Sequence, residues 1–245
     1  MAQGQNSYPD IQAVLASKPM IVGNSKELYY LDHDLVLVKL IPSLSSFTFN
    51  RYENMLGTEV LRLDFFELAA QRLSSAGVPV AFKERVGPDT YITEFCPSPP
   101  FEVIVKNAAL GSTIRKYPSL FPEGYRFKEP VVKFDFRIDP EDQPIADDYL
   151  REAGYRPEEF KKIALKVNEI LRDWLAPRDL LDFCILIGKK DNGEYVVISE
   201  VSPDCMRLRS PNGKPLDKDL FRQGSTSEEI LKAWSELIES LKETT

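Results

Sequence analysis

An α+β fold, with mostly antiparallel sheets and flanking helices, is predicted by three features of the sequence. Strand-like runs follow one another across short turns instead of alternating with helices. Two of those turns, Gly87-Pro88-Asp89 and Asp191-Asn192-Gly193, carry hairpin chemistry, the second because Asn-Gly tolerates positive φ. The helical patterns, in contrast, come as separate long blocks.

Residues 1–20 read as an N-terminal arm. "KELYYL" and "LVLVKLI" flank Asp32-His33-Asp34 as an antiparallel hairpin. Thr58 opens "TEVLRLDFFELAAQRLSSAG", where Val60, Leu61, Leu63, Phe65, Leu68, Ala69 and Leu73 recur at helical spacing and Gly77 stops the helix. "VPVAFKERV" and "TYITEFC" form a second hairpin, followed by strands "FEVIVKN" and "VVKFDFRI", the latter with clean alternation. Pro157 sits in the first turn of a helix that Pro177 closes. "LLDFCILIG" and "EYVVISEV" are expected to pair across the Asn-Gly turn. Ser225 and Thr226 each stand three residues before a glutamate, a capping-box pattern for the last helix. The prolines of "CPSPP" interrupt the strand pattern and place a boundary near residues 95–100.

The 245 residues carry a net charge of −7. That sign argues against a nucleic-acid or anionic-membrane partner, which needs surplus Lys and Arg. No run of 18 apolar residues marks a membrane span, and the first twenty residues lack the basic start and apolar stretch of a secretory leader. Cys96, Cys184 and Cys205 have no metal-ligand spacing and suit free thiols, so a cytoplasmic protein is expected. His33, the single histidine, reads as a solvated turn residue.

"VGNSKELYY", "PPFEVIVKNAALGS", "LLDFCILIG", "EVSPDCMRL" and "DKDLFRQ" occur in this order, and together they resemble the successive motifs of the SAICAR synthetase (phosphoribosylaminoimidazole-succinocarboxamide synthase) family. The resemblance runs from about Ile21 to the final helix. It implies a two-lobed fold with ATP between the lobes: 21–96, the nucleotide lobe, and 97–245, the ligand-binding lobe. The family reaction joins aspartate to the carboxylate of a phosphorylated ribosyl-imidazole. By resemblance Lys106, Ser112 and Arg207 build an anion pocket, Lys218 and Arg222 match the motif "DKDLFR", and Lys26 is the remaining lysine of a phosphate-facing loop. The same comparison puts Cys184 in place of a lysine, and Leu186 and Ser199 in place of magnesium-binding carboxylates.

Magnesium is held through a few carboxylates and the substrate phosphates. The losses at Leu186 and Ser199 therefore lead to the expectation of a repurposed enzyme with a degenerate ATP site and no cofactor. Such an enzyme would carry out ATP-independent chemistry, a cyclisation or isomerisation, on an anionic small molecule. Glu200 and Asp204 are the expected acid and base, their pKa values raised by a dry cleft. Tyr29, Cys184, Leu186 and Ser199 would line the cleft, with no metal ligand assigned. Cys184 is open to a nucleophile reading, against which stands its ordinary role as a small buried hydrophobe. Two alternatives stay open: an ATP- and Mg-dependent amide-forming ligase of SAICAR synthetase type, and a non-catalytic small-molecule binder. Homo-oligomerisation is left open too.

Overall fold

The structure, a computed structural model, describes residues 8–243 apart from 33, 47 and 140. The turn reading of His33 and the first seven residues of the arm lie outside the described residues. The rest of the arm forms a short helix α1 (Ile11–Leu15), followed by β1 (Ile21–Val22), β2 (Lys26–Asp32), β3 (Leu35–Leu40), β4 (Ser43–Ser46) and β5 (Arg51–Asn54). Helix α2 (Thr58–Ser75) leads to β6 (Phe82–Arg85), β7 (Thr90–Glu94) and β8 (Phe101–Ala108). Then come α3 (Ser112–Lys116), β9 (Arg126–Phe136), β10 (Gln143–Ile145), α4 (Asp147–Glu152) and α5 (Pro157–Leu175). The chain closes with β11 (Asp179–Ile185), β12 (Ile187–Lys189), β13 (Tyr195–Val197), a 3-10 turn at Pro203–Cys205, β14 (Met206–Arg209), α6 (Asp219–Arg222) and α7 (Ser227–Lys242).

Two five-stranded antiparallel sheets dominate. The first runs β1-β2-β3-β7-β6 and the second β10-β9-β8-β11-β14. The chain passes from one to the other between Glu94 and Phe101, across the proline-rich stretch. Mixed helices and antiparallel sheets are what the hairpin turns predicted. The expected pairing of "LLDFCILIG" with "EYVVISEV" is only partly right. Just β12 and β13 pair across the Asn-Gly turn, whereas β11 lies between β8 and β14. Turn chemistry specifies the local hairpin. The partners of β11 are set by burial, because Phe183 and Ile185 need the apolar layer beneath the second sheet.

That layer is one continuous core. Val36, Val38 and Leu40 of β3 meet Leu63, Phe66, Ala69 and Leu73 of α2, while Phe101, Val103, Phe134 and Phe183 meet Phe160, Ala164, Val167 and Leu171 of α5. Alternation does the sorting: successive strand residues face opposite sides, so every second residue of β8 enters the core. Asn107 and Asn168 match one another there through reciprocal amide bonds at 2.8 and 3.0 Å. Helix α7 begins at the predicted capping box. Thr226 accepts from the Glu229 N–H at 3.3 Å and Glu229 accepts from the Thr226 N–H at 2.8 Å. Thr226→Ala is expected to lower stability by about 1 kcal/mol, read from the urea unfolding midpoint.

Candidate active site

With Phe101, Val103, Phe134, Phe183, Met206 and Leu208 turned into the core, the opposite face of the second sheet receives the intervening side chains. These are Glu102 and Lys106 of β8, Lys133 and Asp135 of β9, Asp182 and Cys184 of β11, and Arg207 of β14. Register aligns Lys106 with Asp182 and Asp182 with Arg207, one rung across three strands. The contacts follow: Asp182 Oδ2 accepts from Lys106 Nζ at 2.9 Å and from an Arg207 guanidinium N–H at 2.7 Å.

Lys106 and Asp182 are nearly inaccessible, at 4% and 5% exposure, while Arg207 is partly open. Burial works against the Asp182 carboxylate, but Arg207 and Lys106 hold it below its ordinary range. Arg207 is shared with Asp219 at 3.5 Å, and with Lys106, Arg209 and Arg222 the cations exceed Asp182, Asp217 and Asp219 by one, which suits a phosphate or carboxylate. Arg209 and Asp219 extend the network, Asp219 pairing also with Arg222. Arg222 is thus a structural member of the cluster. Lys218 pairs with Asp204 at 3.0 Å.

Ser112 opens α3 beside this end, directly after Gly111. A Cβ on Gly111 would sit 2.7 Å from an Arg207 guanidinium nitrogen, and the residue's φ of +57° disfavours any side chain. Gly111→Ala is therefore expected to push Arg207 off Asp182. It should cost about 1–3 kcal/mol from the positive-φ backbone alone, measured by denaturant unfolding.

In the first sheet, Lys26 begins β2 at a tight turn in which the Gly23 N–H donates to the Lys26 carbonyl at 2.9 Å. The turn is anchored from α2. Arg62, with no exposed surface, donates to the carbonyls of Ser25 at 3.4 Å and Ile41 at 3.1 Å. The same guanidinium grips both oxygens of Glu200 at 2.7 Å each, and Ser202 Oγ donates to Glu200 at 2.9 Å. Lys26 itself is half-buried and makes no ion pair among the described residues. Burial lowers its pKa, with Glu200 pulling the other way.

Several expectations change here. Glu200 and Asp204 are not raised toward neutrality. Burial pushes each carboxyl up, yet Arg62 holds Glu200 below the usual range, and Lys218 with Arg62 does the same for Asp204. Both are fixed anions, poorly suited to donate a proton. Tyr29 does not line the cleft. It packs with Leu31, Leu37 and Ile92 against α1 on the far face of the first sheet, its hydroxyl donating to Glu27 at 2.6 Å. Ser199 serves a structural end, its hydroxyl accepting from the Leu186 N–H at 2.9 Å. Cys184 lies on the polar face of the second sheet, where burial and then Glu102 drive its thiol well up and so disfavour the thiolate a nucleophile needs. Burial likewise pushes Cys205 to about 12.

The residues missed in the sequence are Arg62, Glu102, Lys133 and Asp135. The last two carried a signal, since the alternation of "VVKFDFRI" puts Lys133 and Asp135 together opposite Phe134. Arg62 carried none. It is one charge in a helix whose neighbours are mostly apolar, and a helical arginine ordinarily reads as solvated.

A family model described as SAICAR synthetase matches residues 19–240. The phosphoribosylaminoimidazole-succinocarboxamide synthase of Methanocaldococcus jannaschii is 32% identical over 221 residues, 87% of this chain and 90% of that protein. Its namesake in Lactococcus lactis subsp. lactis is 28% identical over 233 residues, 92% of this chain and 97% of that protein. A solved SAICAR synthetase (Type-2) in complex with ADP superposes with a TM-score of 0.84 at 29% identity, covering 90% of this chain and 96% of its own. SAICAR synthetase from Pyrococcus horikoshii OT3 superposes at 0.81 with 28% identity, covering 88% and 98%.

These similarities overturn the expectation of ATP-independent chemistry without a cofactor at a degenerate ATP site. The relatives are synthases over nearly the full length, and one of them holds ADP. Leu186 and Ser199 remove two carboxylates, yet Glu200 and Asp204 stay close enough to Lys26 to act on its charge.

Proposed function

The chain belongs to the SAICAR synthetase family of biosynthetic enzymes, and from that footing we propose that it is an ATP-dependent carboxylate–amine ligase working in the cytoplasm. The nucleotide would lie between the lobes 21–96 and 97–245. The observation that carries this reading is Lys26: a half-buried ammonium at a tight turn, without an ion-pair partner among the described residues, in a chain so similar to an ADP-bound relative. A lysine in that state has its charge available to a phosphate chain.

The donor set next to Lys26 also fits a hard cation. Asp204 Oδ1 is buried and makes no well-aligned hydrogen bond, with Lys218 paired to it at 3.0 Å. Glu200 stands on the same loop. Mg²⁺ needs one or two carboxylates besides the phosphates, and Asp204 with Glu200 would supply them. When bound, it neutralises phosphate charge. The chain's own residues do the rest. Lys26 orients the phosphates, Arg62 fixes Glu200 and the turn together, and Lys106, Ser112 and Arg207 hold the anionic end of the acid substrate. Among the described residues, no helix is long and apolar enough to cross a membrane.

The deciding assay is ADP formation with ATP, magnesium, a phosphorylated ribosyl-imidazole carboxylate and aspartate. ADP and amide produced in equal amounts, both absent when either co-substrate is omitted, is the expected result. ADP release that ignores the amine, or none from folded protein, would remove the ligase reading.

A further inference from the structure

The proposed function leaves two cysteines unused, and the register of the second sheet sets them against each other. β11 and β14 pair Asp182 with Arg207 and Phe183 with Met206. One step further in the same antiparallel register, Cys184 stands opposite Cys205, the last residue of the 3-10 turn that leads into β14. Residues directly opposite in such a pair turn to one face, with Cα atoms about 4.5–5.5 Å apart. A disulfide spans about 4.4–6.8 Å between Cα atoms. The electrostatics agree with this placement, since Cys205 acts on the Cys184 thiol and Glu102 acts on both. Both thiols are free and half-buried. Cys96, the third, is buried elsewhere with Ala81 and Val196. The odd cysteine count thus resolves into a facing pair and a bystander.

We propose that Cys184 and Cys205 form a reversible disulfide, and that it acts on Glu200 and Asp204 through the turn that Cys205 closes. The linkage stands on the strand geometry, and only its effect on a nucleotide rests on the ligase reading. In the reduced protein Cys205 Sγ accepts from the Ser202 N–H at 3.3 Å and donates to the Ser202 carbonyl at 3.2 Å. Ser202 Oγ in turn donates to Glu200 at 2.9 Å and accepts from the Asp204 N–H at 3.3 Å. Oxidation removes the S–H and draws the sulfur toward β11, so the turn loses the contact that closes it beside both carboxylates. The oxidant is a small disulfide such as oxidised glutathione. One cysteine thiolate attacks a glutathione sulfur, the glutathione S–S bond breaks, and a mixed disulfide forms with release of one glutathione thiolate. The second cysteine attacks the protein sulfur of that mixed disulfide and expels the other. Two electrons pass from the protein to glutathione, and the two protons end on the two glutathione thiols. Burial disfavours the attacking thiolate and slows this exchange, but the product is neutral and carries no such penalty. In a reducing compartment such a bond is transient and sensing, not structural.

The test incubates the full chain in glutathione redox buffers and maps its disulfides by mass spectrometry after alkylation. Peptides carrying Cys184 and Cys205 should appear joined in monomeric protein, with Cys96 alkylated, and dithiothreitol should separate them. Cys96→Ser should form the same link. Cys184→Ser and Cys205→Ser should each form none, the remaining thiol holding at most a glutathione adduct. Hydrogen exchange at the Ser202 amide, which loses its sulfur acceptor, should quicken in the oxidised form. Calorimetry with ADP and magnesium should show an affinity about tenfold or more lower on oxidation, the worth of one hydrogen bond to a charged group, and restored by reduction. No joined peptides from folded, oxidised protein would overturn the pair, as would a link through Cys96 or between two copies. Linkage that alters neither exchange nor ADP affinity would overturn the action on the turn. Linkage and faster exchange in a protein that ignores ADP in both forms would keep the inference and remove the ligase reading instead.

Discussion

Arg62→Ala is expected to cost about 3–5 kcal/mol of stability, the usual penalty for stripping one partner from a buried ion pair. The side chain is fully buried and makes four hydrogen bonds, two to Glu200 and one each to the carbonyls of Ser25 and Ile41. Its loss leaves a 7%-exposed carboxylate with only Ser202 bonded to it and Lys26 nearby. It also frees the turn that presents Lys26. Urea unfolding would measure the cost, and a loss below about 1 kcal/mol, typical of an exposed pair, would refute the account. Arg62→Met combined with Glu200→Leu should recover much of the loss, because replacing both partners by apolar groups removes the stranded charge.

Acid sharpens the test. Arg62 keeps the folded Glu200 carboxyl below its ordinary value despite burial. A depressed folded pKa contributes stability that is complete above about pH 4.3, the unfolded value, and is lost as pH falls through the folded one. In Arg62→Ala that contribution is absent, and burial alone favours the protonated carboxyl. The stability gap between the two proteins should therefore narrow as pH drops below about 4. A gap that stays constant from pH 7 to 3 would mean that Glu200 is not what Arg62 stabilises.

Arg62 also marks where the sequence stops being readable. Helices α2, α5 and α7 announced themselves through periodicity, caps and a stop glycine, since those signals are local. The rung Lys106–Asp182–Arg207 was half legible. Its cations stood in motifs, but that Asp182 neutralises one of them depends on β8, β11 and β14 lying side by side, a non-local pairing. Arg62 meets Glu200 across 138 positions, and nothing near either residue encodes the other. The misjudged nucleotide side has the same origin. Losses at Leu186 and Ser199 are visible in the sequence, whereas the approach of Lys26 to Glu200 and Asp204 is visible only once two distant segments meet. Asp135 sits between these cases: the alternation in β9 shows its face, and only the register with Glu102 shows what it faces.

Lys26→Met separates binding from folding in a way that Arg62 does not. Lys26 makes no ion pair among the described residues, so its removal strands no partner and the fold should persist. Its ammonium is poised for phosphate, and hydrogen bonds to charged groups are worth about 1.5–3 kcal/mol, or roughly 10- to 150-fold in affinity. ADP affinity by calorimetry should fall by that factor with the unfolding midpoint little changed. An unaltered affinity would place the phosphates elsewhere. The alkaline limb gives an independent check. Burial lowers the Lys26 pKa, Arg62 adding to the effect and Glu200 resisting it. The charge is then lost at a pH below the ordinary lysine value of about 10.4. ADP affinity in the native protein should decline as pH rises toward that range. Lys26→Arg, whose guanidinium stays protonated, should hold its affinity flat over the same interval. A decline common to both would assign the titration to another group and leave Lys26 without its phosphate.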